Sequence, residues 1–132
     1  MSVTFSSILP WIFRLAAAAI MLQTLYFKFT GSDESIYIFS TLGMEPWGRI
    51  GTGIIELTAS ILILIPKTTF FGSLIAIGLM IGAIGAHLTK LGIVVMNDGG
   101  LLFAYAIIVF ISSIFLLFWY RQDGIHLLKR IF

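Results

Sequence analysis

The sequence predicts an all-α fold, a bundle of four transmembrane helices with a short interfacial helix between the first two. Three observations carry that expectation. The chain is 59% hydrophobic and 11% charged, with a mean hydropathy of +1.07, whereas a soluble domain is roughly 45–50% apolar and about 25% charged. At 132 residues it is a single domain, too short to bury so much apolar surface within itself, so lipid is its natural solvent. The apolar residues also gather into four runs, residues 9–27, 48–65, 69–88 and 101–120. Each is close to the roughly 17–25 residues that a helix needs to cross the hydrocarbon core.

The first run, Leu9 to Phe27, contains the small-residue stretch Ala16 to Ala19. It has no basic region before it, Arg14 interrupts its start, and no small-x-small cleavage site precedes Lys28. It is therefore expected to be a retained helix and not a cleaved signal. The polar segment that follows, Thr30 to Trp47, carries its own helix signal. Ser32 or Asp33 can cap, Glu34 suits the positive helix N-terminus, and Ile36, Phe39 and Leu42 recur at helical spacing before Gly43 and Pro46. On the second run Gly48, Thr52, Glu56, Ala59 and Ile63 fall on one helical face. A tight turn, Pro66 to Thr68, leads into the third.

The third run is rich in small residues. Gly78, Gly82, Gly85 and Thr89 follow steps of four, three and four, a ridge that lets another helix backbone come close, so these glycines are expected to pack the bundle. A second stripe, Gly72, Ala76, Ala83 and His87, brings an imidazole to an adjoining face. Asn97 to Gly100 reads as a turn into the fourth run. Trp11, Trp47, Trp119 and Tyr120 stand at span ends, where amphipathic rings prefer the headgroup level.

Glu56 is the leading functional candidate. An idle carboxylate within a span costs about 2.5 kcal/mol or more, so it is expected to be paired, protonated or facing a cavity. At a rise of about 1.5 Å per residue it lies roughly 12 Å inside the interface near Gly48, with Lys28 and His87 within roughly a turn or two of that interface. A cluster of Glu56, His87 and Lys28 is geometrically possible. Each partner has a plainer reading: Lys28 as a snorkelling anchor, His87 as a satisfied polar residue at a helix end. Arg14, the fourth polar candidate, also suits an anchor or a donor to helix C-terminal carbonyls.

Such an inventory limits the chemistry. An acid beside an imidazole can pass protons or hydrogen-bond a quinone or a lipid headgroup. One His and one Glu are too few for a metal site, so none is expected. The chain has no cysteine, which removes thiolate chemistry. It has no nucleophile elbow, phosphate loop or dinucleotide fingerprint. Its eight basic residues are spread along the chain, so no nucleic acid is expected as a partner. Four spans put both termini on one side. That face carries Lys67, Arg121, Lys129 and Arg130, against Lys28, Arg49 and Lys90 on the other, so the positive-inside rule expects cytoplasmic termini.

Arg14, Phe27-Lys28, Leu42-Gly43 with Pro46, Glu56 and Ala86-His87, in that order and spacing, resemble the DoxX-like family of small four-helix membrane proteins. The resemblance runs from about Arg14 to Phe115 and ends where Arg121-Gln122-Asp123-Gly124 replaces the Gly-rich ending of many members. It implies a left-handed bundle in the bacterial inner membrane with a polar pocket, and Lys28, Glu56, His87 and Arg14 as the family's polar set. Some relatives serve thiosulfate and quinone oxidation, one holds soluble redox enzymes at the membrane, and an animal relative assists receptor assembly. Fold does not fix activity here.

The expected function is that of an accessory or assembly subunit, more a binder than an enzyme, engaging a membrane or redox partner, or a second copy of itself, through intramembrane faces. The alternative is a quinone- or lipid-binding component of a membrane oxidoreductase system that uses Glu56 and His87. A proton-coupled transporter is a third possibility, disfavoured by the lack of an inverted repeat or broken helices.

Overall fold

The computed structural model describes residues 5–131. The chain runs as α1 (Phe5–Thr30), α2 (Asp33–Thr41), α3 (Trp47–Leu64), a 3₁₀ turn (Pro66–Thr68), α4 (Thr69–Ala86), a π turn (His87–Leu91), α5 (Leu101–Trp119) and α6 (Arg121–Ile131). Helices α1, α3, α4 and α5 are each part of a stretch long and apolar enough to cross a membrane. They form a ring in which α1 packs on α3, α3 on α4, α4 on α5 and α5 back on α1. The outward face is a coat of exposed aliphatics such as Leu15, Ile54, Leu74, Ile81 and Ile111, the surface that lipid covers.

The interhelical interfaces are built from small residues. Ala17, Ala59, Ala76 and Ala106 are core members, interleaved with Met21, Ile63, Met80, Val109 and Leu116. Apolar burial gains little in lipid, so close backbone approach takes its place. At Gly72 the approach is to backbone: a Cβ atom there would stand 2.7 Å from the Ile63 nitrogen and 2.8 Å from the Ala59 oxygen. Beside it the Thr69 hydroxyl, 2.9 Å from both the Ile63 and Ile65 carbonyl oxygens, ties the start of α4 to the end of α3.

The expectation for the third-span glycines is corrected here. A Cβ at Gly78, Gly82 or Gly85 would meet nothing within 4 Å, and the first two are exposed. The buried face of α4 is instead Thr69, Gly72, Ser73, Ala76 and Met80. Helical steps identify residues that share a face, but they do not say whether that face turns toward a neighbour.

At the end of the bundle that carries the termini, Arg14 is 1% exposed. Its Nε donates to the Ile63 carbonyl at 2.9 Å and its Nη2 to the Leu64 carbonyl at 2.6 Å, while the Trp11 ring lies 3.7 Å from the guanidinium carbon. Those carbonyls are among the last of α3 and have no partner in their own helix. At the opposite end α2 forms as the sequence predicts, with the Ser32 hydroxyl accepting from the Ser35 N–H at 3.2 Å.

Helix α6 has no counterpart in the sequence reading, which places no element after Tyr120. It is amphipathic, with Ile125, Leu128 and Ile131 exposed and Lys129 and Arg130 in its last turn. Gly124 seats it directly on the Phe70 ring, which a Cβ atom would strike.

The two kinds of glycine should separate on mutation. Gly72→Ala is expected to destabilise the protein by about 1–3 kcal/mol, because backbone cannot give way to the new methyl. Gly82→Ala should leave stability within about 1 kcal/mol of wild type. Unfolding measured in the same lipid or detergent checks both.

Candidate functional site

The ring is closed at the terminal end and hollow at the other. A cavity of about 570 Å³ lies between α1, α4 and α5, with Thr52 and Glu56 of α3 in its wall and residues of α2 roofing it. That volume is within the range of small-molecule sites. Met21, Leu79, Met80, Leu102 and Val109 line its apolar part, and Lys28, Glu56, His87 and Tyr105 contribute polar atoms.

Glu56 comes from the small-residue face of α3, and its side chain is only 6% exposed. Lys28, in the last turn of α1, places Nζ 3.2 Å from Glu56 Oε2. The Thr24 hydroxyl, one turn earlier on α1, lies 3.2 Å from the same oxygen. Lys28 is itself held in place: Arg49 of α3 donates to the Lys28 carbonyl, and its guanidinium is fixed from the other side by Glu45, with Nε and Nη2 each 2.9 Å from Oε1. The two helices that supply the ion pair are thus latched together above it.

His87 sits where α4 gives way to the π turn, an irregularity that recurs at functional sites. Its Nδ1 is 2.9 Å from the Gly92 carbonyl oxygen, and its ring meets the Phe103 ring edge-on at 5.6 Å between centroids. A carbonyl only accepts, so the proton is on Nδ1. In the neutral ring Nε2 is then an acceptor, and it has no hydrogen-bond partner among the described residues.

The mouth of the cavity is acidic. Glu34 of α2 and Asp98 of the loop before α5 both line it. Burial, reinforced by the charge of Asp98, pushes the Glu34 carboxyl above its ordinary value. Burial alone would raise Asp98 too, but N–H groups of Val95, Gly100 and Leu102 outweigh it and hold the carboxyl below the usual aspartate value of 3.8. Asp98 Oδ1 accepts from Val95 at 3.0 Å and Gly100 at 2.8 Å, and Oδ2 from Leu102 at 3.2 Å. The carboxylate thereby caps the N-terminus of α5.

The structure therefore brings Lys28, Glu56 and His87 to one cavity and separates Arg14, whose donors go to α3 carbonyls and the Tyr120 hydroxyl at the far end. Gly78 and Gly82 belong to the cavity wall and Gly85 does not. Because the first two are also exposed, they leave the wall thin on the α4 side. Sequence reasoning misses Thr24, Tyr105 and Glu34 as lining residues. Thr24 was within reach, since it precedes Lys28 by one helical turn. Asp98 reads from sequence as part of a turn, and its capping role depends on where the loop folds back.

A model of the DoxX-like family matches residues 12–112. The chain belongs to the DoxX-like family. Comparison with curated proteins and with solved structures returned no match. In this DoxX-like chain the matched segment includes Lys28, Glu56, His87, Asp98 and Tyr105, so the whole polar lining lies inside the family region and α6 lies outside it.

Removing either charge of the ion pair strands the other. Lys28→Met and Glu56→Gln are each expected to cost about 3–5 kcal/mol, and the double variant less than their sum. A double-mutant cycle of unfolding free energies measures the coupling. The depressed Asp98 value has a defined pH signature. Its contribution is complete above the unfolded-state pKa and is lost as pH falls through the lower folded-state pKa. Asp98→Asn keeps one acceptor oxygen but loses the charge and the oxygen that takes the Leu102 N–H, so it should cost about 0.3–1 kcal/mol at neutral pH and should match wild type in strong acid. Hydrogen exchange at the first turn of α5 reads the difference.

Proposed function

We propose that this protein is an integral membrane binding subunit that holds the polar head of a small lipophilic ligand, of the quinone or lipid class, in the cavity between α1, α4 and α5. The observation that carries this reading is the cavity itself, apolar over most of its wall, with the Lys28–Glu56 pair and His87 among its lining residues. Pockets that bind small molecules have that composition, an apolar surface with a few fixed polar groups that set orientation. Glu56 and His87 are the groups that would accept hydrogen bonds from a hydroxyl of the head, as in a quinol or a hydroxylated lipid, or relay its protons.

A second reading, an accessory or assembly subunit for a membrane or redox protein, is favoured by one separate observation. Gly78, Gly82 and Gly85 line up on α4 with open space beyond them, and a face of this kind suits another transmembrane helix. The two readings are compatible, because a ligand-loaded subunit can serve a partner. In either case we place the protein in the bacterial inner membrane with cytoplasmic termini, in keeping with Lys67, Arg121, Lys129 and Arg130 at the terminal end.

Gentle purification from native membranes, followed by mass spectrometry of extracted small molecules and co-purifying proteins, tests the proposal. A quinone or lipid retained near one per chain, and lost in Glu56→Ala, is the expected outcome. A stable protein partner with no retained small molecule would leave the accessory reading alone standing.

A further inference from the structure

Building on the cavity as a ligand site, we infer that its occupant is an uncharged amphiphile whose head donates a hydroxyl hydrogen bond, and not a phospholipid, a fatty acid or an amine. The polar atoms on its wall carry this. Glu56 Oε2 is taken by Lys28 and Thr24, whereas Oε1 has no partner among the described residues. His87 Nδ1 is committed to Gly92, which leaves Nε2 as a second open acceptor. Both residues are 5% exposed and both line the cavity. The sealed side-chain atoms without a partner are, among the described residues, Ser73 Oγ and Ser113 Oγ; the two open acceptors belong instead to the cavity wall, where an apolar occupant would strip them of water unless its head supplies a donor. A ligand hydroxyl satisfies either atom, while an ether or ester oxygen satisfies neither.

Charge narrows the class further. The charged side chains lining the cavity are one base, Lys28, and three acids, Glu34, Glu56 and Asp98. An anionic head meets a net negative field, and to reach Lys28 it must displace Glu56 from 3.2 Å. A cationic head at Glu56 meets the Lys28 ammonium already there, and both Asp98 oxygens are occupied by backbone N–H groups. A neutral hydroxyl pays neither cost. The apolar wall of Met21, Leu79, Met80, Leu102 and Val109 takes the ring or chain behind it.

Four probes with the same tail separate these possibilities: 4-dodecylphenol, its methyl ether, dodecanoic acid and dodecylamine, titrated at about pH 8 onto the full chain in lipid nanodiscs. The phenol should bind roughly tenfold more tightly than the ether, the worth of one hydrogen bond to an open acceptor in an apolar wall. The acid and the amine should bind no better than the ether. In His87→Phe, which keeps a ring without an acceptor, the phenol-to-ether ratio should fall about two- to fivefold and stay above one, because Glu56 Oε1 remains open, while ether affinity holds. His87→Gln, which restores an acceptor oxygen, should recover part of it, and this variant keeps the test sharp if the Phe variant folds poorly. Equal binding of phenol and ether to wild type overturns the hydroxyl-donor inference and leaves the cavity proposal intact. Tightest binding by the acid or the amine overturns the charge reasoning, and an unchanged ratio in both variants removes His87 from it. Failure of all four probes to bind overturns the ligand-site reading on which the inference rests.

Discussion

Lipid offers no hydrogen bonds, so the charged groups and freed helix-end carbonyls of this bundle are best answered from within the chain. That requirement accounts for most of the long-range polar contacts. Arg14 spends its guanidinium on carbonyls that α3 cannot satisfy itself. Thr69 returns its hydroxyl to the same helix end. Ser60 and Thr58 bond the carbonyls one turn behind them. Glu56 and Lys28, the two groups least able to stand alone, meet each other.

The two ends of the bundle meet this requirement differently. At the terminal end, Gly72, Arg14 and Thr69 draw α1, α3 and α4 so close that Ile63 and Leu116 have no exposed surface at all. At the opposite end the latch through Arg49 joins only α1 and α3, and the α4 side of the cavity includes the small residues Gly78, Gly82, Ala83 and Ala86 beside Leu79 and Met80. Small residues that pack against nothing leave space, and α2 covers it from above. The hollow therefore follows from an uneven distribution of side-chain volume along α4.

Much of this was legible in the sequence, because lipid imposes simple rules on length and composition. The four spans, the α2 cap at Ser32 and the buried face of α3 with Glu56 on it all follow from periodicity. Arg14 as a donor to helix-end carbonyls follows from its position near a span end. Periodicity fails where the outcome depends on rotation of a whole helix. The glycine ridge of α4 shares one face as the spacing says, yet that face looks away from α3. Helix α6 was hidden because its short amphipathic pattern, interrupted by Gly124, does not stand out as an element until Phe70 is seen beneath it. The latch through Arg49 joins residues twenty-one apart in sequence, and no local pattern announces such a contact.

The pairing of Lys28 with Glu56 has an electrical consequence. The two opposite charges sit 3.2 Å apart and together form a dipole with no net charge, so the transmembrane potential exerts torque on them but no net force. A neutral guest arriving at that dipole carries no charge through the field, which acts at about 2.3 kcal/mol per elementary charge for each 100 mV. Were the occupant neutral, as proposed above, its binding would not respond to whether the membrane is energised.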